Sequence, residues 1–350
     1  MVKKVLVDLE RMKHPNTGLY HYCLYLGKHL AQLAPSETKL YYFVPPSKKN
    51  YFGENVEYIK QRPFHKLHFP NSSRFNVWHA THQATDYFPF GSNARKVLTI
   101  HDLNYVHDKS KTEYKRKRYI KDLLKKVEQS DHIVTISHFV MNDLLQHVKI
   151  PAENRSVIYN GCNIEEHLAV AAPLIKPSRP FLFTIGVINP KKNFHVLPPL
   201  LLDNDWQLVI SGVTDSNDYK EKILSEARKY NVENRVIFTG PASENDKQWY
   251  YKNCRAFVFP SIAEGFGLPV IEAMYFGKPV LLSTFSSLPE IGGDSAYYFK
   301  DFDPESMRLT LKESLAHYAL HNPGELIKQR ALSFNWKNTA QQYMEIYQSL

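Results

Sequence analysis

The stretch RAFVFPSIAEGFGLPVIEAM, residues 255–274, carries the signals of a strand, a turn and a helix in direct succession. Its first six residues are mostly apolar and end at a proline, which is typical of a short buried strand. Pro269 fits the first turn of a helix that continues with apolar residues. The glycine-rich turn 265–267 lies between them, and Glu264 and Glu272 stand on its two sides. The stretch therefore predicts a strand–loop–helix unit.

The start of this predicted helix has the features of an anion site. The first turn of a helix has unpaired N–H groups and a partial positive charge, and glycine lets the backbone approach a ligand closely. Residues 265–268 therefore suit a diphosphate. Because carboxylates would repel a diphosphate, Glu264 and Glu272 are better explained as acceptors for hydroxyl groups, of a sugar and of a ribose respectively.

A second candidate for phosphate binding lies in GVINPKKNF, residues 186–194. This turn follows the apolar run FLFTIG, so Lys191 and Lys192 are expected at the carboxyl end of a buried strand, where ligands of parallel sheets bind. A lysine there can neutralise phosphate oxygens without a metal ion. The alternative to phosphate binding is that both lysines are ordinary surface residues in a turn.

Short strand-like runs alternate with longer amphipathic segments along most of the 350 residues, which predicts βαβ units and parallel sheets. A proline-containing segment without clear periodicity interrupts the alternation. We therefore predict an α/β protein of two Rossmann-like doubly wound domains that face each other across a cleft. The predicted limits are 1–165 for the first domain, 166–180 for a linker, 181–332 for the second domain and 333–350 for a final amphipathic helix. One further predicted helix covers 195–202.

The composition, with 43% hydrophobic residues, is that of a soluble globular protein. The start, MVKKVLVDLE, fits a first buried strand better than a signal peptide, and no run reaches the roughly 18 apolar residues of a membrane-spanning helix. Cys23, Cys162 and Cys254 lie far apart without metal-type spacing, which predicts neither disulfides nor a zinc site. A reducing cytoplasm is the simplest compartment.

Much of the formal net charge of +9 is concentrated between Lys109 and Lys126. Ile120, Leu123 and Val127 follow helical spacing, which predicts an amphipathic helix with a buried stripe and a basic outer face. Such a face is compatible with a solvated surface and with docking to a membrane or to the phosphates of an acceptor. Aromatic residues do not recur beside it as in nucleic-acid-binding surfaces, so no nucleic acid is expected as a partner.

Together the motifs resemble the retaining glycosyltransferases of family 4, which have the GT-B fold. The resemblance covers nearly the whole chain and rests on PNTGLYHYCLYLGKHL, TIHDLNYV, DHIVTISHFVMNDL, VIYNG, GVINPKKN, VIFTG and FPSIAEGFGLPVIEAMYFGKPVLLS, the last with the family's Glu-x7-Glu signature. It implies an acceptor held mostly by the first domain and a nucleoside diphosphate sugar held mostly by the second. It also implies a final helix that crosses back to the first domain, and no cofactor besides this co-substrate.

The resemblance also implies roles for residues of the second domain. Glu264 would contact hydroxyls of the donor sugar, Glu272 the ribose and Lys192 the diphosphate. Backbone contacts with sugar and diphosphate would come from Phe266, Gly267 and Leu268. Gly186 matches the glycine that opens the phosphate turn, but Val187 follows it where many members have an arginine, which leaves Lys191 as a compensating charge.

In the first domain, His101 matches the family's histidine at the end of a strand, near the reacting sugar. Gly18 and Tyr20 belong to the N-terminal loop that approaches the donor phosphates and the acceptor. This loop reads NTGLY, where many relatives have two adjacent glycines, so the acceptor side departs from the family pattern.

No metal is expected in the site. The Asp-x-Asp triplets at 203–205 and 301–303 are the kind that holds a divalent metal in the other large glycosyltransferase fold, but the first simply precedes a predicted strand. The close pairs His65 with His68 and His79 with His82 lack an obvious third ligand; surface or core-edge positions explain them better, with the second pair also placed to border an acceptor pocket. Lysine and helix-terminus amides can replace a metal.

We therefore expect a metal-independent hexosyltransferase in surface polysaccharide synthesis. It would move a hexose, from GDP-mannose or a UDP-hexose, to a hydroxyl of a glycan or lipid-linked acceptor with retention at the anomeric carbon. The expected location is the cytoplasm, with the basic helix as a contact for the inner face of the membrane. A non-enzymatic binder of an anionic polymer, and a sugar phosphorylase or nucleotide-sugar hydrolase on the same fold, are the alternatives.

Overall fold

A computed structural model describes residues 2–15, 17–108, 111–165 and 170–350. The chain divides into two compact units. The first comprises Met1–Gly161 and Asn335–Leu350, and the second comprises Cys162–Phe334. Each unit is described by itself.

The first unit contains a wholly parallel sheet. Within the described residues its seven strands are β1 (Lys3–Asp8), β2 (Thr38–Val44), β3 (Glu57–Lys60), β4 (Val77–Ala80), β5 (Arg95–Ile100), β6 (His132–Thr135) and β7 (Arg155–Val157). They lie in the order β3-β2-β1-β4-β5-β6-β7, and each pair of neighbours is parallel. Because the chain winds outward in both directions from the centre, the carboxyl ends of β1 and β4 flank the topological switch point, where ligands of such sheets bind.

The second unit repeats this plan with six strands in its described part. They are β8 (Phe181–Ile185), β9 (Gln207–Ser211), β10 (Val236–Gly240), β11 (Ala256–Phe259), β12 (Val280–Ser283) and β13 (Tyr297–Phe299). The order is β10-β9-β8-β11-β12-β13, again with parallel neighbours. The switch point here lies between β8 and β11, and the predicted doubly wound α/β architecture is confirmed in both units.

Helices connect the strands. Those described are α1 (Gly18–Leu33), α2 (Asn104–His107), α3 (Glu113–Glu128), α4 (His138–Leu145), α5 (Asn217–Lys229), α6 (Glu244–Asn253), α7 (Leu268–Tyr275), α8 (Leu288–Gly292), α9 (Pro304–His321), α10 (Gly324–Leu332) and α11 (Trp336–Ser349). Seven of them follow a Ser, Thr, Asp or Asn whose side chain accepts a hydrogen bond from the first turn: Thr17, Thr112, Ser137, Ser216, Ser243, Asp303 and Asn335. None of the helices in the described ranges is long and apolar enough to cross a membrane.

Helix α3 corrects one detail of the predicted basic segment. Its Leu123 and Val127 are buried as expected, but Lys126, predicted on the outer face, is only 4% exposed. Its ammonium donates to the carbonyl oxygens of Gln83 and Thr85 at 3.0 Å and contacts the Asp122 carboxylate at 2.8 Å. Gln83 and Thr85 lie outside α3, in the segment after β4, so helical periodicity alone could not reveal them. Lys109 lies outside the described residues.

The final helix α11 packs on the first unit. The predicted apolar side is confirmed, since Trp336, Ala340, Tyr343, Met344 and Tyr347 are all buried. A Cβ on Gly161 would overlap the Trp336 backbone and ring, so glycine is needed where the two segments meet. The Lys3 ammonium also donates to two carbonyl oxygens at the end of α11, where a cation suits the helix dipole.

The helix predicted over 195–202 is wrong. Short 3-10 turns, Phe194–Val196 and Pro198–Leu201, occupy this segment instead. Pro198 and Pro199 have no backbone N–H and prevent a continuous helical hydrogen-bond ladder. In the predicted linker, 166–169 lie outside the described residues, and 170–180 contain neither helix nor strand.

Candidate functional site

Two predicted site residues of the second unit are in direct contact. Lys192 lies in a 3-10 turn after β8, and Glu264 lies in the loop after β11. The Lys192 Nζ and Glu264 Oε1 atoms are 2.5 Å apart, and Ser261 Oγ donates to the same oxygen at 2.6 Å. Both side chains are largely buried, with 17% and 13% of their surface exposed. The switch point between β8 and β11 thus holds a lysine–carboxylate pair at the carboxyl edge of the sheet.

Glycine makes room for this lysine. Gly186 has a φ of 153°, and a Cβ there would come within 3.0 Å of the Lys192 side chain. A Cβ on Gly212, at the end of β9, would overlap the carbonyl oxygen of Gly186. Neighbouring Lys191 holds the next loop through its carbonyl oxygen, which accepts from Ile262 N at 2.9 Å. The backbone of Lys191 therefore supports this loop, in addition to the charge contact predicted for its side chain.

The strand–loop–helix prediction for 255–274 is confirmed, with β11 before the turn and α7 after it. Gly267 precedes α7 with a φ of 104°, a conformation that favours glycine, and Leu268 is the first helical residue. Ser287 Oγ is 3.1 Å from the Glu264 carbonyl oxygen and 3.0 Å from that of Phe266, so it ties down both ends of the turn. Phe266 itself is buried.

Glu272 lies on α7 in a buried polar cluster, with 4% of the residue exposed. Its Oε1 accepts from Asn163 Nδ2 at 3.2 Å and pairs with Lys247 Nζ at 3.3 Å, while its Oε2 accepts from Tyr251 OH at 3.0 Å. Burial alone would lower the pKa of Lys247, but the carboxylates of Glu272 and Glu244 outweigh it and leave that pKa above its ordinary value. No spacing in the sequence links these three partners to Glu272, so they could not be predicted.

In the first unit, His101 follows β5 and is 7% exposed. Its Nε2 lies 2.8 Å from the Thr81 carbonyl oxygen, which assigns the proton to Nε2 and leaves Nδ1 as an acceptor. The His101 backbone N–H donates to Gln83 Oε1 at 3.1 Å, and the Tyr22 ring packs edge-on at 4.5 Å. Burial lowers the pKa of His101 to about 4, so the imidazole is neutral at pH 7.

Asp8 is a further titratable group at this edge that the sequence analysis did not single out. It ends β1 beside the switch point, is 1% exposed, and accepts from Thr85 Oγ1 at 2.7 Å and from Glu10 N at 3.0 Å. Burial and then the neighbouring Glu10 carboxylate raise the pKa of Asp8 to about 7. In the sequence, the only indication of this group was an acidic residue at the end of the first predicted strand.

Gly18 and Tyr20 begin helix α1, so they are helical residues and not part of a loop. Tyr20 N donates to Thr17 Oγ1 at 3.2 Å, and its hydroxyl accepts from Lys48 Nζ at 3.3 Å. Gly18 is exposed, with open space where a Cβ would be. Asn16, in the same motif, lies outside the described residues.

The rejected metal candidates have other contacts. Asp303 Oδ1 caps α9 by accepting from two backbone N–H groups at 3.0 Å, and Asp203 pairs with Arg308. His79 is fully buried, with Thr99 Oγ1 at 2.8 Å and Tyr347 OH at 2.6 Å from its two ring nitrogens. His65 is buried as well, and its Nδ1 accepts from Arg62 N at 3.1 Å.

Comparison with known proteins agrees with this architecture. Residues 21–166 match the family described as Glycosyltransferase Family 4, and residues 168–325 match the one described as Glycosyl transferases group 1. The O-antigen chain mannosyltransferase B of Escherichia coli is 26% identical over an alignment that covers 99% of this chain and 100% of that protein.

Solved structures share the fold over nearly the full length. Sucrose-phosphate synthase from Thermosynechococcus elongatus superposes with a TM-score of 0.77 at 18% identity, covering 99% of this chain and 98% of that one. The Anabaena protein HepE, solved in complex with UDP-glucose, has a TM-score of 0.71 at 17% identity, with coverage of 99% and 100%.

The fold is therefore that of the GT-B class of glycosyltransferases. The chain belongs to glycosyltransferase family 4, the group 1 glycosyl transferases, which confirms the resemblance found in the sequence.

Proposed function

We propose that this glycosyltransferase moves a hexose from a nucleoside diphosphate sugar to a hydroxyl of a glycan or lipid-linked acceptor in surface polysaccharide synthesis. GDP-mannose is the first candidate donor and UDP-hexoses are the second. The similarity to an E. coli O-antigen chain mannosyltransferase supports a mannosyl donor. The UDP-glucose complex of HepE keeps UDP-hexoses as candidates.

The observation that carries the proposal is the Lys192–Glu264 contact at the switch point of the second sheet. The lysine ammonium has three N–H groups, so it can keep its contact with the carboxylate and still donate to a diphosphate. The N–H groups at the start of α7 and the preceding glycine turn would add a partial positive charge for the same phosphates. Glu264 would then accept hydroxyl groups of the sugar, and Glu272 those of the ribose.

The proposed reaction is mainly electrostatic. The bond from the anomeric carbon to the diphosphate oxygen breaks, a bond from that carbon to the acceptor oxygen forms on the same face, and the hydroxyl proton passes to the departing diphosphate. Lys192 would stabilise the charge that develops on the diphosphate, without a metal ion. The neutral imidazole of His101, with Nδ1 as an acceptor, would position the reacting sugar.

The basic face of α3 supports a contact with an anionic acceptor or with the inner face of a membrane. Five of its basic side chains are exposed: Lys115, Lys117, Arg118, Lys121 and Lys125. Anionic lipid or a lipid-linked diphosphate would be attracted to such a face, most strongly at low salt. A cytoplasmic, peripheral location is part of the proposal.

The first test measures the melting temperature of the protein with UDP, GDP, ADP and their common sugar conjugates, in EDTA and in magnesium. A ligand that binds the folded state raises this temperature. We expect selective stabilisation by GDP and GDP-mannose that persists in EDTA. If no nucleotide shifts the melting temperature, the donor site is refuted and the binder of an anionic polymer is favoured.

Variants then separate the two glutamates. Glu272→Ala should weaken the nucleotide-induced shift in melting temperature, each shift being measured against the same variant without ligand. Glu264→Ala should keep that shift and lower turnover by roughly a hundredfold, the scale for a lost transition-state contact. Glu313→Ala, an exposed carboxylate on α9, is the matched control. Unaltered binding and turnover in both site variants would contradict the assignment.

A further inference from the structure

Helices α2 and α4 of the first unit bring together two histidines and an aspartate outside the candidate site. His107 ends α2, Asp143 lies in the last turn of α4, and His147 follows two residues after α4. One ligand atom from each of the three residues lies within 4.8 Å of the others. His107 Nε2 is 2.9 Å from one Asp143 carboxylate oxygen and 3.0 Å from the other.

The backbone holds two of these groups on one face. His147 N donates to Leu144 O at 2.9 Å, so the helical turn extends beyond α4 to residue 147. Residues four positions apart on a helix are neighbours on its surface, which places Asp143 and His147 side by side. His107 then approaches Asp143 from a separate segment.

The burial of the three groups differs in a way that suits an ion. The Asp143 side chain is 10% exposed and carries a charge at the edge of a core that includes Val140 and Leu144. The two histidines are exposed, so an ion can reach them from solvent. The carbonyl end of a helix has a partial negative charge that favours a nearby cation. The Asp143 carboxylate, the carbonyl end of α4 and the two imidazoles therefore all favour a positive ion between them.

The donor set indicates which ion. Two imidazoles and one carboxylate are ligands of Zn²⁺ and of related transition metals, whereas Ca²⁺ and Mg²⁺ prefer oxygen ligands alone. Tetrahedral zinc with ligand distances near 2.1 Å separates its ligand atoms by about 3.4 Å. The His107–Asp143 contact of 2.9 Å is shorter than this, and the three ligand atoms lie within 4.8 Å of one another, so rotations of the exposed imidazoles would bring them to the tetrahedral spacing.

We propose that His107, Asp143 and His147 form a binding site for one transition-metal ion of the Zn²⁺ class, with the remaining coordination position left to water. The ion fastens α2 to the end of α4. Because α2 begins three residues after His101, the ion also anchors the segment that follows this candidate site residue. The inference does not depend on the proposed sugar transfer, since it concerns only metal binding by the first unit.

The test uses the full chain without a histidine tag, stripped of metal with EDTA and then dialysed. Zinc is titrated in competition with a chromophoric chelator, and Co²⁺ replaces it for absorption spectroscopy of the coordination geometry. We expect one equivalent of Zn²⁺ per chain and a higher melting temperature with zinc than without it. Co²⁺ should give the visible absorption bands of a low-coordinate site with nitrogen ligands.

Three variants identify the ligands. His107→Ala and His147→Ala should each weaken zinc binding by at least about tenfold, since even loss of an outer partner of a metal ligand costs that much. Asp143→Asn retains the shape and removes the charge. Both histidines are exposed, so their variants keep the fold even if Asp143→Asn does not. A hydrogen-bonded His107–Asp143 pair without metal would instead leave His147→Ala indistinguishable from the parent protein.

The matched control is the double variant His317→Ala, His321→Ala. These exposed histidines on α9 are also four positions apart, with ring centroids separated by 4.4 Å, but they belong to no such three-residue group in the described residues. We expect zinc affinity to be unchanged in this variant. The proposal is overturned if the parent protein binds no Zn²⁺ or Co²⁺ at micromolar concentration, or if only the control variant loses binding.

Discussion

At the scale of single residues, the buried pair Lys247–Glu272 joins α6 to α7. Both side chains are less than a tenth exposed, at 8% and 5%, and Tyr251 and Asn163 satisfy further lone pairs of the carboxylate. Removing one partner of such a pair leaves an uncompensated charge in a low-dielectric environment. The pair therefore holds Glu272 in one orientation on α7.

We predict that Lys247→Met lowers the free energy of unfolding by about 3 kcal/mol or more, because the Glu272 carboxylate loses its buried counter-charge. Urea unfolding at pH 7 measures this change. The double variant Lys247→Met, Glu272→Gln should recover much of the loss, while Lys312→Met, on the exposed side of α9, should change stability by no more than about 0.5 kcal/mol. Additive single and double variants would show that the two residues do not interact.

At the scale of elements, α11 is joined to the first sheet by a buried hydroxyl network. Tyr343 OH lies 2.7 Å from Tyr22 OH and 2.8 Å from Thr99 Oγ1, and His79 connects Thr99 to Tyr347. Trp336 stacks on the Tyr25 ring of α1 with centroids 5.9 Å apart. Burial of aromatic surface stabilises the packing of α11 on the first unit, and the hydroxyl network fixes the position of the helix along the sheet.

We expect Tyr343→Phe to destabilise the protein by about 1 to 3 kcal/mol, because the ring stays buried while Tyr22 and Thr99 each lose a hydrogen-bond partner. Denaturant unfolding followed by far-UV circular dichroism provides the measurement. Gln342→Ala, one position earlier and exposed, serves as the control. Equal stability of Tyr343→Phe and the parent would mean that the network adds nothing beyond packing.

At the scale of the whole molecule, buried titratable groups set the response to acid. Burial lowers the pKa of His79 to about 3 and the pKa values of His101 and His195 to about 4, from an ordinary value of 6.5. Between pH 6.5 and pH 4 the unfolded chain binds protons at these histidines and the folded chain does not. Asp8 acts in the opposite sense, because its raised pKa of about 7 lets the folded chain bind one proton in this window. The histidines outnumber Asp8, so acidification favours unfolding.

The free energy of unfolding should therefore decrease as the pH falls from 6.5 to 4, by about 1.4 kcal/mol per pH unit for each net proton. Asp8→Asn removes the opposing group identified within the described residues and should make this decrease steeper. Urea midpoints at half-unit pH intervals test both statements for the parent and the variant. A slope in Asp8→Asn equal to that of the parent would show that Asp8 does not titrate differently in the folded state.

Local signals in the sequence were sufficient to predict many of the strands and helices and to identify the family. The apolar run of β11, the glycine turn and Pro269 predicted the strand–loop–helix unit, because each acts through the backbone within a few residues. The alternation of strands and helices predicted parallel sheets, and the Glu-x7-Glu block identified the glycosyltransferase family. The prediction of a continuous helix over 195–202 was wrong, because the two prolines lack the backbone N–H groups of a helix although the segment is apolar.

By itself the sequence determined the two doubly wound sheets and the residues at the carboxyl ends of the strands, since hydrophobic periodicity and turn signals are local. Tertiary structure alone decided the partners of these residues. Asn163 meets Glu272 across 109 positions, Lys192 meets Glu264 across 72, and His107 meets Asp143 across 36. Such contacts depend on the order in which strands join a sheet and on which loops then share an edge, and no short stretch of sequence encodes that order.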